Sequence, residues 1–223
     1  VYFGDDTLFL MERSRELLAL LPDRYRVLDL CCGGGGVGLG LPDFEGELLG
    51  IDLNSVAVEL AERVAAAQDL TNYSYQCCDA LAGLEGEFDL IFGNPPTLSP
   101  ALTGRDVFHA TGSEDVLTEL LEKVLGALKP SGRAVFTFFS ELSDGRDLQW
   151  ERLKKLLDGR RGCLCYAANW QSGATIQPQR PAVGARAQLA TLRGVALEDA
   201  ARELILAGGV SSAHELLSIG VQH

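Results

Sequence analysis

The stretch Val27 to Asn54, VLDLCCGGGGVGLGLPDFEGELLGIDLN, constrains the fold of this chain more than any other. Val27-Leu28-Asp29-Leu30 is a short apolar run of the kind that forms a buried parallel strand. Four consecutive glycines, Gly33 to Gly36, follow it. A second apolar run, Leu48-Leu49-Gly50-Ile51, ends in Asp52. Strand, glycine turn, helix, strand and terminal acid predict a nucleotide-binding βαβ half. Glycines let the chain turn sharply and let backbone N–H groups approach a ligand closely. Asp52 stands where a carboxylate accepts two ribose hydroxyls. A glycine-rich turn in some other α/β domain is the alternative that these residues alone leave open.

The spacing differs from a dinucleotide fingerprint, whose acid follows the glycines by about 20 residues and whose helix N-terminus receives a pyrophosphate. Here Asp29 precedes the glycines, inside the first strand. An anion there repels a pyrophosphate and suits a cationic ligand. Together, Asp29, Gly33, Gly35 and Asp52 resemble motifs I and II of class I S-adenosylmethionine-dependent methyltransferases. That resemblance implies a Rossmann-like α/β fold, a seven-stranded mostly parallel sheet with helices on both faces. It implies S-adenosylmethionine as cofactor, with Asp29, Cys31, Gly33, Gly35, Asp52 and Leu53 in its site. The family usually has glycine where Cys31 stands, so the turn is expected to be wider here.

The 223 residues suit one α/β domain with small appendages, and an apolar fraction of 47% supplies a full core. A net charge of −12 leaves no broad basic face for phosphates, although Arg and Lys cluster at 152–161. No apolar run approaches the ~18 residues of a membrane span, and no signal peptide is visible. The chain begins at Val1 without methionine, so a few native residues or a leading domain are expected to precede it. The six cysteines fall in pairs, Cys31-Cys32, Cys77-Cys78 and Cys163-x-Cys165, without the C-x2-C spacing of a zinc site. They read as buried thiols of a cytoplasmic protein with no metal.

Ahead of the first strand, Leu8, Met11, Leu17, Leu18 and Leu21 recur at helical spacing. They predict a helix over 6–21, capped by Asp6 or Thr7 and stopped by Pro22. Asp5 and Asp6 favour the positive end of its dipole. The phrase Asp6-Thr7-Leu8 also resembles one found ahead of motif I in the release-factor glutamine methyltransferases, which implies proximity to the cofactor. After Asp52, Asn54-Ser55 caps a predicted helix from Val56 to about Gln68. Tyr73 to Cys77 alternates as a third strand, closed by Asp79-Ala80. In the family pattern Asp79 and Ala80 border the adenine, and a solvated loop acid is the alternative for Asp79. Phe88 to Phe92 is the fourth strand.

That strand ends in Gly93-Asn94-Pro95-Pro96-Thr97. Proline lacks an N–H and fixes φ, so Pro95-Pro96 makes a rigid, extended exit. The turn aims the Asn94 amide and the Pro95 carbonyl at one point. Two acceptors converging on an –NH2 group bind both hydrogens and leave the nitrogen lone pair facing a methyl donor. Asn-Pro-Pro followed by an aromatic marks the methyltransferases that act on glutamine amides and on the amino groups of adenine, cytosine and guanine. The resemblance therefore gives Asn94, Pro95 and Pro96 the catalytic role, with Asn94 also beside the cofactor. Asn-Pro is also a common turn dipeptide. At the end of a fourth strand, about 60 residues after the glycine loop, it carries more weight.

Thr97 departs from the pattern. The aromatic usual there stacks on a flat substrate, which is worth roughly 1–3 kcal/mol per base. Threonine cannot supply this, so Phe108 substitutes or the substrate is not a large flat ring. The loop 98–111 is the expected substrate lid, with Thr97, Phe108 and His109 against the substrate. His109 is either a base or polar surface. Gly112 to Leu117 resembles a Gly-Gly-x-Asp-Gly-Leu phrase of the glutamine methyltransferases. Ser113 caps a predicted helix to about Lys129, which Pro130-Ser131-Gly132 ends. Ala134 to Phe139 is a fifth strand, Asp147 to Leu157 an amphipathic helix, and Cys163–Asn169 and Ala187–Leu192 the sixth and seventh strands. Helices are expected over 198–206 and 211–217.

The resemblance covers residues 1–193 as the methyltransferase domain and leaves 194–223 as a C-terminal helical extension through which the chain could form oligomers. The helical domain with which glutamine methyltransferases dock their release factor is not seen in this sequence. The expected acceptor is a nitrogen of a small molecule or peptide, with nucleic acid disfavoured and no membrane partner. Protein glutamine and nucleic-acid bases are the alternative acceptors. A non-catalytic cofactor- or partner-binding module is the second alternative, and Asn94-Pro95-Pro96 argues for the enzyme because a pure binder needs no lone-pair alignment.

Overall fold

Apolar residues on alternate sides of the central strands give one sheet two buried faces, and that alternation organises the fold. The computed structural model describes residues 5–41, 44–96, 116–137, 140–143, 146–147, 152, 155–156, 162–169, 186–188 and 200–208. Five parallel strands form the sheet's centre: β1 (Arg26–Leu30), β2 (Glu47–Asp52), β3 (Tyr73–Cys77), β4 (Phe88–Gly93) and β5 (Leu128–Phe136). Two more strands, β8 (Gly162–Asn169) and β10 (Ala200–Gly208), complete the order β3-β2-β1-β4-β5-β10-β8. β10 runs antiparallel to both of its neighbours. Strands β6 (Ser140–Ser143), β7 (Arg146–Asp147) and β9 (Arg186–Gln188) form a separate antiparallel sheet. The expected seven-stranded, mostly parallel sheet is therefore present.

Helices α1 (Asp5–Leu18) and α2 (Ser55–Ala67) supply side chains to one core, where Leu10, Val58 and Ala61 meet Val27, Leu48, Leu90, Phe92 and Val135. The other core gathers Leu28, Leu30, Ile51, Ile91, Ala134 and Phe136 against α3 (Val116–Ala127) and Leu156. A 12-residue helix is marginal alone in water. Leu117, Leu120, Leu121 and Val124 are all buried, each contributing about 1.5–3 kcal/mol, so the packed face holds α3 in place. Asn54 caps α2, its side chain accepting from the Val56 and Ala57 N–H groups, as the sequence predicts.

Several expectations need correction. α1 already includes Asp5, so Asp6 and Thr7 lie in its first turn and do not cap it, and the helix stops at Leu18. Among the described residues no α-helix follows the glycines; they lead through a turn into a short 3-10 segment, Gly38–Gly40. Glycine costs a helix about 1 kcal/mol per residue, and Pro42 leaves too little chain after them. β5 starts directly after α3, at Leu128, and its pairing with β4 jumps from Phe88↔Leu128 to Leu90↔Arg133. The extra residues are Pro130-Ser131-Gly132, so the predicted breaker bulges the strand without delaying it.

The helix expected over 198–206 is strand β10. Ala, Glu and Leu favour a helix locally, but Leu204, Ile205 and Leu206 are ladder residues between β5 and β8, and tertiary pairing overrides the propensity. The sheet thus draws on chain beyond residue 193. The seventh strand expected at 187–192 is not in the main sheet; Arg186–Gln188 pairs with β6 instead. Of the helix expected over 147–157, Asp147 belongs to β7, whereas Arg152, Lys155 and Leu156 are helical. Thr97, Phe108, His109, the lid 98–111, the Ser113 cap and 211–217 lie outside the described residues.

Candidate active site at the carboxyl edge of the sheet

Strand order reverses between β1 and β4, and in open α/β sheets the crevice at such a point, beyond the carboxyl ends of the strands, is where ligands bind. Register fixes what stands there. Leu30 pairs with Ile51 on one side and with Gly93 on the other. Asp52 pairs with Cys77, and Gly93 with Phe136. The next residue out on each strand therefore forms a row across the sheet in the order Cys77, Asp52, Cys31, Asn94, Thr137. Neighbours in such a row sit on strands about 4.8 Å apart. Residues as distant in sequence as Cys31 and Asn94 thus become neighbours.

The glycine turn folds over this row. The Cys32 N–H donates to the Ile51 carbonyl at 3.0 Å, and the Gly35 N–H to the Cys32 carbonyl at 2.8 Å. Gly33 has φ +52° and Gly35 +77°, conformations that an L side chain rarely adopts. A Cβ on Gly33 would meet nothing within 4 Å, whereas one on Gly35 would lie 3.0 Å from the Tyr75 hydroxyl and 3.1 Å from the Ala61 Cβ. Cys31 also adopts a left-handed φ, +58°. The position at which the family prefers glycine is thus one whose backbone calls for it.

Carboxylates brace the loop from both sides. Asp52 accepts from the Gly33 N–H and the Asn54 N–H, each at 2.8 Å. Asp29 is 2% exposed and accepts from the Gly38 N–H at 3.2 Å, holding the far end of the crossover from beneath. Burial raises the Asp29 pKa to about 8; the Gly38 hydrogen bond opposes this and the Asp52 charge adds to it. Burial also pushes the Cys31 thiol up, reinforced by the charges of Asp52, Asp29 and Asp79, so it stays protonated and unreactive. Asp52 and Asp79 make this edge electronegative, whereas Asp29, its pKa raised to about 8, is largely protonated at neutral pH and does not supply the anion that the sequence led one to expect there.

Asp79 is exposed and caps a second 3-10 segment, Ala80–Ala82, by accepting from the Leu81 N–H at 2.9 Å. Ala80 is buried and Leu53 is 69% exposed. Pro95 is buried, and Asn94 and Pro96 are half-buried. Cys77 is exposed, which corrects the expectation that all the thiols are buried. The described residues hold no group of three or more His, Cys, Asp or Glu placed for a metal ion. They include no helix long and apolar enough to cross a membrane.

Sequence reasoning missed Gly38, Tyr75 and Thr137. Tyr75 is buried, and its hydroxyl has no hydrogen-bond partner among the described residues. Thr137 is buried and donates to Asn94 Oδ1 at 2.9 Å. The available signal for Thr137 was a hydroxyl inside the apolar run Ala134 to Phe139.

The sequence model of a family described as "Methyltransferase domain" matches residues 21–179, well over half of the chain. The chain belongs to that family. Among curated relatives it is 28% identical over 127 residues to YqeM of Bacillus subtilis (strain 168), named as a candidate methyltransferase; the match takes in 57% of this chain and 47% of that protein. It is also 28% identical over 130 residues to the ribosomal RNA small subunit methyltransferase C of Chromohalobacter salexigens, covering 55% of this chain and 35% of that one. The chain therefore spans less than half the length of these relatives. Among solved structures, an rRNA methylase from Streptococcus thermophilus superposes with a TM-score of 0.54 at 13% identity, over 88% of this chain and 94% of that one. Methyltransferase-family membership and the sheet topology agree.

Proposed function

We propose that this chain is an S-adenosylmethionine-dependent methyltransferase of the Asn-Pro-Pro type, similar to the glutamine methyltransferases, acting on an amino, amide or guanidine nitrogen of a small molecule or peptide. The observation that carries this reading is the row Asp52, Cys31, Asn94, in which register sets the glycine loop beside the Asn-Pro-Pro exit. The residues present fit the cofactor. Open space lies over Gly33, and Leu53 offers exposed apolar surface beside Asp52. Each Asp52 oxygen accepts one backbone N–H and keeps a lone pair for a ribose hydroxyl. Asp79 and Ala80 border the adenine. The acidic edge favours a cation.

S-adenosylmethionine supplies, when bound, an activated methyl group on a cationic sulfonium. Asn94 Oδ1 and the Pro95 carbonyl accept the two hydrogens of the acceptor nitrogen and turn its lone pair toward the donor. Pro95-Pro96 hold both acceptors on a backbone of restricted φ. The protein's contribution is positioning and the exclusion of water.

Methylation of a nucleic-acid base is a second reading, supported by the name of a curated relative that acts on ribosomal RNA. The test is calorimetry with S-adenosylmethionine, followed by radiolabelled methyl transfer to pools of amines, peptides and RNA. Asp52→Ala is expected to weaken cofactor binding by roughly 1.5–3 kcal/mol. Asn94→Ala is expected to lower kcat much more than it alters cofactor affinity. Normal turnover in folded Asn94→Ala would remove the nitrogen reading and leave the fold. Cofactor binding with no transfer to any pool would favour a non-catalytic module.

A further inference from the structure

We infer that Thr137 is a positioning residue for Asn94, fixing the orientation of the amide that meets the acceptor nitrogen. The inference rests on the role proposed above for Asn94 and adds a residue from a different strand end. Two groups of Thr137 hold consecutive residues of the β4 exit. Its backbone N–H donates to the Gly93 carbonyl at 3.1 Å. Its hydroxyl donates to Asn94 Oδ1 at 2.9 Å.

Gly93 independently fixes where Asn94 starts. A Cβ there would come within 2.8 Å of the Leu30 carbonyl oxygen and 2.9 Å of the Phe136 ring, so β4 presses against β1 and β5 at this point. The Asn94 Cα is therefore located by the sheet. What the sheet leaves undetermined is rotation of the amide, whose oxygen and nitrogen differ little in size but are opposite in hydrogen-bonding sense. The Thr137 hydroxyl donates to Oδ1 and so anchors one end of the amide, which restricts that rotation. Thr137 is 1% exposed, so water does not compete for the bond. An amide oxygen has two lone pairs. Beside the Thr137 bond, the second lone pair gives Oδ1 the capacity to accept an N–H of the acceptor as well. A flipped amide would present a donor to an –NH2 group and repel it.

The test uses the full chain with Thr137→Val, Thr137→Ser, Asn94→Ala and the double variant Thr137→Val/Asn94→Ala. The first readout needs no acceptor. In 15N spectra of the protein with bound S-adenosylmethionine, the Asn94 side-chain NH2 pair is assigned by its loss in Asn94→Ala. Thr137→Val is expected to shift or broaden that pair, and Thr137→Ser to retain it. The second readout is methyl transfer to a pool of glutamine-containing peptides and small amines. Thr137→Val is expected to lower kcat about three- to tenfold, the worth of one neutral hydrogen bond, with cofactor affinity within about twofold. Thr137→Ser is expected to restore turnover although it removes a packed methyl, which separates orientation from stability. In the Asn94→Ala background, Thr137→Val is expected to add nothing.

An unmoved Asn94 resonance in Thr137→Val overturns the inference, as does equal loss of turnover in the Val and Ser variants. A moved resonance with normal turnover in Asn94→Ala leaves the bond in place but refutes the acceptor role of Asn94, and with it the function assigned here to Thr137.

Discussion

Asp29 carries two opposed demands at the residue scale. Its position beneath the loop uses a carboxyl oxygen to hold the Gly38 N–H, and its burial disfavours the charge. With a folded pKa of about 8 against an ordinary value of 3.8, the folded protein keeps a proton that the unfolded chain has released. The stabilisation this represents is fully present below pH 4 and is lost as pH rises toward 8. Asp29→Asn is neutral throughout, so the difference in melting temperature between the two proteins is expected to change across that window and level off above it. A pH-independent difference would mean that Asp29 is ionised in the folded state. The glycines permit a sharper contrast. Gly33→Ala meets only the cost of a left-handed alanine, roughly 1–2 kcal/mol, because its Cβ enters open space. Gly35→Ala meets that cost and also drives a Cβ against Tyr75, Leu39 and Ala61. Urea denaturation is expected to rank Gly35→Ala as clearly the more damaging; equal losses would show that the loop tolerates a shift away from α2. The importance of both glycines was legible in the sequence. That only Gly35 is packed against neighbours was not, since Tyr75 and Ala61 lie on other elements.

Division of labour between the two edges of the sheet belongs to the element scale. The carboxyl edge gathers the candidate site. At the opposite edge Asp89, 6% exposed, accepts from the Arg26 N–H at 2.8 Å and pairs with Lys129 Nζ at 2.7 Å, joining the starts of β1, β4 and β5. Asp89→Ala leaves both groups without this partner. A loss of about 2–3 kcal/mol is expected, at the upper end for a charged hydrogen bond because the acid is buried, with Lys129, itself about one-third exposed, adding little. Cofactor affinity should be unchanged, because the pair lies a full strand length from Cys31; a calorimetric loss of affinity equal to the loss of stability would contradict the separation of edges. The central elements were legible because each carries its own signal. β1, β2 and β4 are apolar runs, α2 has a cap and a periodic face, and α3 has a stripe of Leu and Val. β10 carried the opposite signal. AARELILAG favours a helix in isolation, and it is a strand only because β5 and β8, distant in sequence, offer two ladders. Such non-local pairing leaves no trace in a local pattern.

The whole molecule's charge bears on the acceptor. With 31 acids against 19 bases, the chain repels polyanions at long range. Asp52 and Asp79 at the carboxyl edge add local repulsion where a nucleic acid would have to enter, although they suit a cationic cofactor. An RNA-binding enzyme that neutralises several phosphates loses affinity steeply with salt, because it releases a counterion at each contact. A compact acceptor held by Asn94 and Pro95 has no such dependence. If the acceptor is compact, the bare chain is expected to show no salt-dependent retention of a ribosomal RNA fragment, and its methyl transfer to the productive small-molecule or peptide pool should vary little between about 50 and 200 mM salt. Names among its relatives point the other way, toward ribosomal RNA; the match takes in 35% of one such protein and 94% of another. The two possibilities therefore separate on one titration. Tight, salt-sensitive RNA binding with label transferred to a base would overturn the compact-acceptor reading, and Thr97 would then need an aromatic from elsewhere to hold that base. Salt-insensitive transfer to an amine or amide would place substrate choice in the Asn94–Pro95 exit itself rather than in a charged docking face.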